Sequence, residues 1–203
     1  MLGLANGLEY PNLMASGAII DVVRWGHIQG LGDATFSTAR ETGASATNTP
    51  TGTGSTSLTI YEFSSGRGSG SHIMHRLYMY FPTSGISGIT SGVLKFTENS
   101  NGTGSIRIIK STAFGGNGGS VLDTADFFDE IDYTTVYSNI SGGSPGEREA
   151  TLSSDAISDI NNNDHFTLAM VEKDHDAANT AATSSLSRWM KVDWDETPQL
   201  VLT

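Results

Sequence analysis

Cysteine is absent from all 203 residues of this chain. Disulfide bonds and thiolate metal sites are therefore excluded as supports for the fold. Long apolar runs are also missing, since none approaches the roughly 20 residues that a membrane-spanning helix needs. The first residues have neither the basic region nor the apolar region of a secretory signal. We therefore expect no membrane segment and no export by the general secretory route.

Positive charge is scarce in this sequence. The chain has 11 Lys and Arg residues against 22 Asp and Glu residues, which gives a formal net charge of -11. A surface of this sign repels phosphate backbones, so nucleic acid is not an expected partner. The 24 glycines, together with abundant Ser, Thr and Asn, favour short strands joined by turns. We therefore predict an all-β protein with a β-sandwich as its main domain.

The clearest strand pattern covers residues 76–82. Apolar residues alternate there with Tyr78 and Tyr80, and the stretch ends at Pro82, which cannot donate to a sheet ladder. A second apolar strand pattern covers residues 92–96. The residues predicted to line the core on these two strands are Leu77, Met79, Phe81, Leu94 and Phe96.

One short helix is predicted near Ser153. Either Ser153 or Ser154 can cap its first N–H groups, and apolar residues at 156, 157 and 160 fall on one face. The polar run at 161–164 ends it. By contrast, residues 33–61 are almost wholly polar, and we predict a long loop or a mobile excursion centred on residues 47–55, because such residues bury too little area to offset the entropy of ordering. The alternation at residues 57–63 then predicts a strand.

The first 29 residues differ from the rest of the chain. The apolar residues Leu2, Leu4, Leu8 and Tyr10 stand among glycines, in a segment too short to form its own core. One interpretation is an N-terminal arm over residues 1–29 that docks on a partner through these four residues, ahead of a sandwich domain over residues 30–203. The other is that residues 1–29 supply an ordinary first strand, because residues 18–25 have a strand-like apolar run. The sequence leaves both open.

The order of segments from Asp33 onward resembles the DNRLRE-type domain, a jelly-roll module related to carbohydrate-binding modules. The resemblance rests on the strands at 76–81 and 93–96 with Ile86 between them, and on the helix near Ser153 with the strands that follow it. It departs from the family pattern at Met79, where an aromatic residue or leucine is frequent, and in its long glycine-rich insertions. The resemblance implies a jelly roll, carries over no catalytic residue, and suggests a glycan-binding module acting in host-surface recognition.

The opening Met1-Leu2-Gly3-Leu4 is similar to the start of virion structural proteins of tailed bacteriophages. That similarity implies a non-enzymatic structural or decoration protein of the capsid or tail, assembled in the host cytoplasm. Its partners would be other virion proteins and further copies of itself. The absence of cysteine suits assembly in a reducing cytoplasm.

Two groups of acidic residues raise the question of a bound cation. The first group contains Asp123, Asp126, Asp129, Glu130 and Asp132, and the second contains Glu172, Asp174 and Asp176. Calcium takes about six to eight oxygen ligands, which a carboxylate-rich loop can supply. Neither group has the D-x-D-x-D-G spacing, so we predict no cofactor and no metal, and calcium stays the one ion that these residues suit.

Motifs for catalysis are missing. The five histidines form no H-E-x-x-H helix, and His72 and His75, three residues apart on a strand, should lie on opposite faces and not share a metal. No nucleophile elbow, P-loop or dinucleotide fingerprint occurs. We therefore predict that the protein is not an enzyme. Of its tryptophans, Trp189 should lie in the core, whereas Trp194 suits an exposed position on a sugar or a subunit interface.

Overall fold

The computed structural model describes residues 17–49, 56–64, 70–98, 101–193 and 196–203. These residues form an antiparallel β-sandwich of two sheets, so the predicted all-β sandwich is confirmed. The first sheet contains β1 (Ala18–Asp21), β4 (Thr56–Ser64), β6 (Gly92–Glu98), β9 (Gly146–Thr151), β11 (Leu186–Val192) and β12 (Gln199–Leu202). The second contains β2 (Arg24–Gly30), β3 (Gly43–Thr49), β5 (Ser71–Pro82), β7 (Ser105–Ser111), β8 (Ile131–Ser141) and β10 (His165–Glu172).

The long strand β5 joins the two sheets. Its first residues pair with β4 of the first sheet, and its later residues pair with β2 and β10 of the second. The second sheet therefore has the order β3-β2-β5-β10-β7-β8. In the first sheet, β6 pairs with β9, β12 and β11, while β1 pairs with β12 and β4 pairs with β11.

The apolar residues of β5 and β6 lie between the sheets, as the alternation predicts. Leu77, Met79, Phe81, Leu94 and Phe96 are all buried in one cluster, which we call the inter-sheet core. This cluster also takes side chains from β7, β10 and β12. Phe81 pairs with Phe166 across β5 and β10, which places two large rings on neighbouring strands.

The other face of the second sheet is buried as well. A second cluster there, which we call the outer core, includes Tyr78 of β5, Ile109 of β7 and Val171 of β10. Its cover comes mainly from connecting segments, including a 3-10 helix at Thr124–Phe127 and the segment around Phe114. The sheet is therefore enclosed on both faces, and neither set of β5 side chains is a solvent-exposed set.

The prediction of a long loop is wrong for residues 33–49, which contain the six-residue helix α1 (Phe36–Glu41) and all of β3. The strand predicted at residues 57–63 is present as β4, and residues 50–55 lie outside the described residues. The strand β3 pairs along its length with β2, so the backbone groups that face β2 are paired without any need for apolar side chains. Its first residue, Gly43, lies so close to the 3-10 helix that an added Cβ would stand 2.7 Å from the carbonyl oxygen of Thr124.

The helix predicted near Ser153 is present as α2 (Ser154–Asn162). Ser153 is its N-cap and accepts a hydrogen bond from the N–H of Ala156 at 3.3 Å. Ala156 and Ile160 are buried, and Ile157 packs against the same cluster. No helix among the described residues has the length and apolar character needed to cross a membrane.

The segment over residues 1–29 is divided by the structure. Its later part is strand: β1 pairs with β12, and β2 lies between β3 and β5. The boundary predicted between residues 29 and 30 therefore falls inside β2, because the ladder with β5 continues through His27 and Gln29. Residues 1–16 lie outside the described residues, so an arm of that length stays a prediction.

Candidate functional sites

A fully buried ion pair occupies the outer core. Nε and Nη2 of Arg76 donate to the two carboxylate oxygens of Asp176, each at 2.7 Å. Both side chains have no exposed surface. Arg76 comes from β5 and Asp176 from the turn after β10, so the pair joins chain segments 100 residues apart. This two-bond geometry is the strong form of an arginine–carboxylate contact.

Further groups complete the coordination of this pair. Nε of Arg40, in α1, lies 3.4 Å from Asp176 Oδ1 and donates to the backbone oxygen of Asp176 at 2.8 Å. Arg76 also donates to the carbonyls of Arg40 and Phe127, and its guanidinium lies 3.9 Å from the ring centre of Phe127. Burial alone would lower the pKa of Arg76, but the charge of Asp176 raises it above the ordinary value. The arginine is therefore held charged inside the protein.

Glu172, from the second acidic group, belongs to the same turn. Its Oε2 accepts from the N–H groups of His175 at 2.6 Å and Asp176 at 3.3 Å, while Oε1 is buried without a hydrogen-bond partner. Burial raises the pKa of Glu172 against the opposing effect of these N–H groups. Asp174 is exposed. Glu172 thus stabilises the turn and Asp176 pairs with Arg76, so these two carboxylates do not form an open binding site.

The first acidic group borders an open cleft of about 550 Å³ beside the 3-10 helix. Its lining contains Thr112, Gly115, Gly116, Ser120, Val121, Asp123, Ala125, Asp126 and Glu130. Gly115 and Gly116 both have positive φ angles, 71° and 77°, which favour glycine and let the backbone form the wall. The lining combines hydroxyl and carboxylate groups with the exposed apolar side chain of Val121.

The carboxylates of the cleft already have local partners. Asp123 and Asp126 form a capping box at the start of the 3-10 helix, and Glu130 accepts from the hydroxyl of Thr112. Burial raises the pKa of Asp126. Asp132 does not line the cleft. It accepts hydrogen bonds from Thr134 and Thr135, which lower its pKa to about 2. Among the described residues, no three His, Asp or Glu side chains are grouped so as to hold a metal ion.

Four histidines lie in two different settings near the start of β5. Nδ1 of His72 lies 2.8 Å from the hydroxyl of Tyr61, and Tyr61 packs against His175 with ring centres 4.9 Å apart. His75 instead lies beside His27 of β2, with ring centres 6.3 Å apart. The sequence separates His27 from His75 by 48 residues, so only the β2–β5 register could have revealed this pair.

Two exposed apolar side chains follow residues 1–16 closely in the sequence. Ile19 in β1 is 61% exposed, and Val23, just before β2, is 56% exposed. The four predicted docking residues, Leu2, Leu4, Leu8 and Tyr10, lie outside the described residues. Trp25 is buried in the inter-sheet core and Trp189 is half-buried, while Trp194 also lies outside the described residues.

These features define a β-sandwich protein with a buried ionic cluster on one sheet and an open acidic cleft next to it. Comparison with protein-family models and with curated proteins finds no match for this chain. The jelly-roll topology and the similarities to DNRLRE-type domains and phage virion proteins therefore stay predictions.

Proposed function

We propose that the protein is a non-enzymatic structural or decoration component of a tailed-phage particle, attached to the capsid or tail through its N-terminal segment. The observation that carries this proposal is the apolar surface at the entry to the sandwich. Ile19 and Val23 are exposed directly after residues 1–16, which contain the apolar Leu2, Leu4, Leu8 and Tyr10. Exposed apolar side chains that follow an apolar segment in the chain suit an attachment site.

The neighbouring strand edge supports the same proposal. Within the described residues, β1 pairs with β12 alone, so its other edge faces no strand there. An unpaired edge can receive a strand from another chain. The partners are other virion proteins and further copies of this chain, and the net charge of -11 disfavours nucleic acid.

Truncation tests this function directly. We expect deletion of residues 1–12 to leave a folded protein, measured by circular dichroism, that no longer appears in purified virions of the encoding phage by mass spectrometry. Ile19→Ser and Val23→Ser should lower the copy number per virion, whereas Val121→Ser, at an equally exposed apolar residue by the cleft, should not. Unfolding of the truncated protein would show that the segment belongs to the core. Absence of the intact chain from virions would refute the proposal.

A second candidate function is carbohydrate binding, and the cleft beside the 3-10 helix favours it. Carboxylates accept hydrogen bonds from sugar hydroxyls, and Val121 offers an exposed apolar contact next to Asp123 and Asp126. A glycan array probed with the full chain tests this function. Binding that falls at least tenfold in Asp126→Asn but not in Asp129→Asn, whose residue does not line the cleft, would support it. Absence of binding to any host-surface glycan would count against it.

A further inference from the structure

The pair formed by His27 and His75 lies where β2 joins the second sheet. In the β2–β5 register, His27 is opposite Leu77 and Gln29 is opposite His75, so the two histidines are diagonal neighbours on one face. Trp25 and Leu77 share that face and are buried in the inter-sheet core. The imidazoles are therefore at the border of an apolar core, with ring centres 6.3 Å apart.

Neither ring has the partners that a charged imidazole needs. Nδ1 of His27 and Nδ1 of His75 are both buried, and neither makes a hydrogen bond. An imidazolium donates from both nitrogens, so protonation would place an unsatisfied N–H in each buried position. Two such cations on adjacent strands would also repel each other. Protonation of the pair thus opposes the β2–β5 pairing in two independent ways.

The surrounding charges do not compensate. On β5, the adjacent Arg76 is committed to Asp176 on the opposite face, together with Arg40 of α1. On β2, Arg24 is opposite Tyr80 and so lies on the other face of the strand from His27. On β10, the carboxylate of Glu172 accepts from the N–H groups of His175 and Asp176. The strand β3 carries no ionisable residue. Asp33 bridges to His72 and not to His75. On β4, the backbone of Glu62 pairs with that of Ile73. Within the described residues, no carboxylate raises the pKa of His27 or His75.

We propose that the β2–β5 pairing is an acid-sensitive seam, which opens when His27 and His75 take up protons and loosens β2 and β3 (residues 24–30 and 43–49) from the second sheet, while α1 between them stays attached. Outside the ladder with β5, the two strands are attached by the hydrogen bonds between Asn48 and Leu122, by contacts with the 3-10 helix, and by the buried side chains of Trp25 and Ile28. The segment between the strands keeps its own attachments, because Asp33 bridges to His72 and Arg40 of α1 donates to the backbone oxygen of Asp176.

The direction of the pH effect follows from the proton affinities. Burial lowers the pKa of both histidines, and the neighbouring His27 further lowers that of His75, to about 4. A folded-state pKa below the unfolded value gives stability that is complete above about pH 6.5 and is lost as the pH falls towards 4. For His75 alone, the equilibrium constant for opening should rise about 20-fold between pH 7 and pH 5.

Hydrogen exchange measured by mass spectrometry on the full chain tests the seam. After correction for the intrinsic pH dependence, peptides from residues 24–30 and 43–49 should exchange faster at pH 5 than at pH 7, while β10, on the other side of β5, should not. The double variant His27→Phe/His75→Phe should abolish this difference. The control His165→Phe should retain it, because His165 pairs with Pro82 at the far end of β5. A uniform rise over all strands would overturn the proposal.

A second measurement does not depend on any variant. The ring-proton NMR shifts of the wild-type histidines should give a pKa near 4 for His75 and below 6.5 for His27. A value at or above about 6.5 for either histidine would overturn the proposal, because the folded seam would then bind protons as readily as the open one. Added zinc provides a further outcome: a protected ribbon at pH 5 in the presence of zinc would show that the pair is a metal site and not a seam opened by protons.

Discussion

The inter-sheet core and the outer core lie on opposite faces of the same sheet, yet they bury different kinds of groups. The inter-sheet core is apolar throughout its central strands, with Leu77, Met79 and Phe81 side by side with Phe166 and Leu168. The outer core encloses a charged pair, Arg76 with Asp176, next to its aromatic and aliphatic side chains. The first is stabilised by removal of apolar area from water, and the second depends on every charged atom having a partner.

This difference decides how each core responds to a lost side chain. An apolar core loses the transfer free energy of the deleted atoms and part of its packing. A buried ion pair gives little net stability when intact, because desolvation offsets the attraction, but loss of one partner leaves an uncompensated charge in the interior. The outer core should therefore be sensitive to single substitutions and tolerant of a matched double substitution.

The largest expected effect is that of Asp176→Ala. It leaves the guanidinium of Arg76 buried without its carboxylate and removes the 3.4 Å contact of Arg40 with Oδ1, while the bond of Arg40 to the backbone oxygen at position 176 stays. We expect a loss of about 3–5 kcal/mol in the free energy of unfolding, measured by urea denaturation at pH 7. Because Arg76 itself donates to the carbonyls of Arg40 and Phe127, the contacts between α1, β5 and the 3-10 helix should weaken together.

The control for Asp176→Ala is the double variant Arg76→Met/Asp176→Leu. It replaces both charges with apolar groups of similar length, so it should recover most of the lost free energy. A double variant as unstable as the single one would show that the pair is needed for its hydrogen bonds to the backbone and not for charge balance.

Phe81→Ala probes the inter-sheet core and should cost about 3–5 kcal/mol. Phe81 has no exposed surface and packs against Phe166 across the β5–β10 ladder. Unlike Asp176→Ala, this loss should have no single partner substitution that restores it. Ser87→Ala, in the exposed loop after β5, serves as the control and should stay within about 0.5 kcal/mol of the parent. A Phe81→Ala protein as stable as the parent would contradict the assignment of this face.

The sequence predicts the inter-sheet core far better than the outer core, for a physical reason. The alternation of Leu77, Met79 and Phe81 is a local pattern, and in a strand it places these three side chains on one face. The pairing of Arg76 with Asp176 joins residues 100 positions apart, and nothing near either residue indicates it. The same limit explains the candidate sites: the acidic groups are visible in the sequence, but whether a carboxylate borders a cleft, caps a turn or pairs with arginine depends on the tertiary fold.

The polar residues 33–61 teach a related point. The sequence contains too few apolar residues there to predict a packed segment, yet β3 forms because β2 offers it a complete hydrogen-bond ladder. Backbone pairing is independent of side-chain polarity at a sheet edge. The helix α1 is likewise fixed from outside, since the buried Arg40 attaches it to Asp176. Neither element could be read from its own residues.

A smaller effect is expected at the start of α2, away from the Arg76–Asp176 pair and from Phe81. Ser153→Ala removes the hydroxyl that accepts from Ala156 and that donates to the carbonyl of Val136 at 2.9 Å. We expect a loss of about 1 kcal/mol in the free energy of unfolding. Ser154→Ala is the matched control, because Ser154 is exposed and lies inside the helix rather than at its cap. Equal effects of the two substitutions would contradict the assignment of Ser153 as the cap.

The smallest expected effect is that of calcium on the melting temperature. It sharpens the comparison because both acidic groups lie on the side of the outer core. Asp176 is already neutralised by Arg76, and Asp123 with Asp126 caps the 3-10 helix, so neither group offers several free carboxylates to one ion. We therefore expect the same melting curve in millimolar calcium and in chelator. A ligand that binds only the folded state must raise the melting temperature, so the measurement detects any specific site. Asp126 lines the cleft and Asp174 does not. A rise in melting temperature that is lost in Asp126→Asn but kept in Asp174→Asn would therefore place calcium in the cleft. It would contradict the prediction of a metal-free protein.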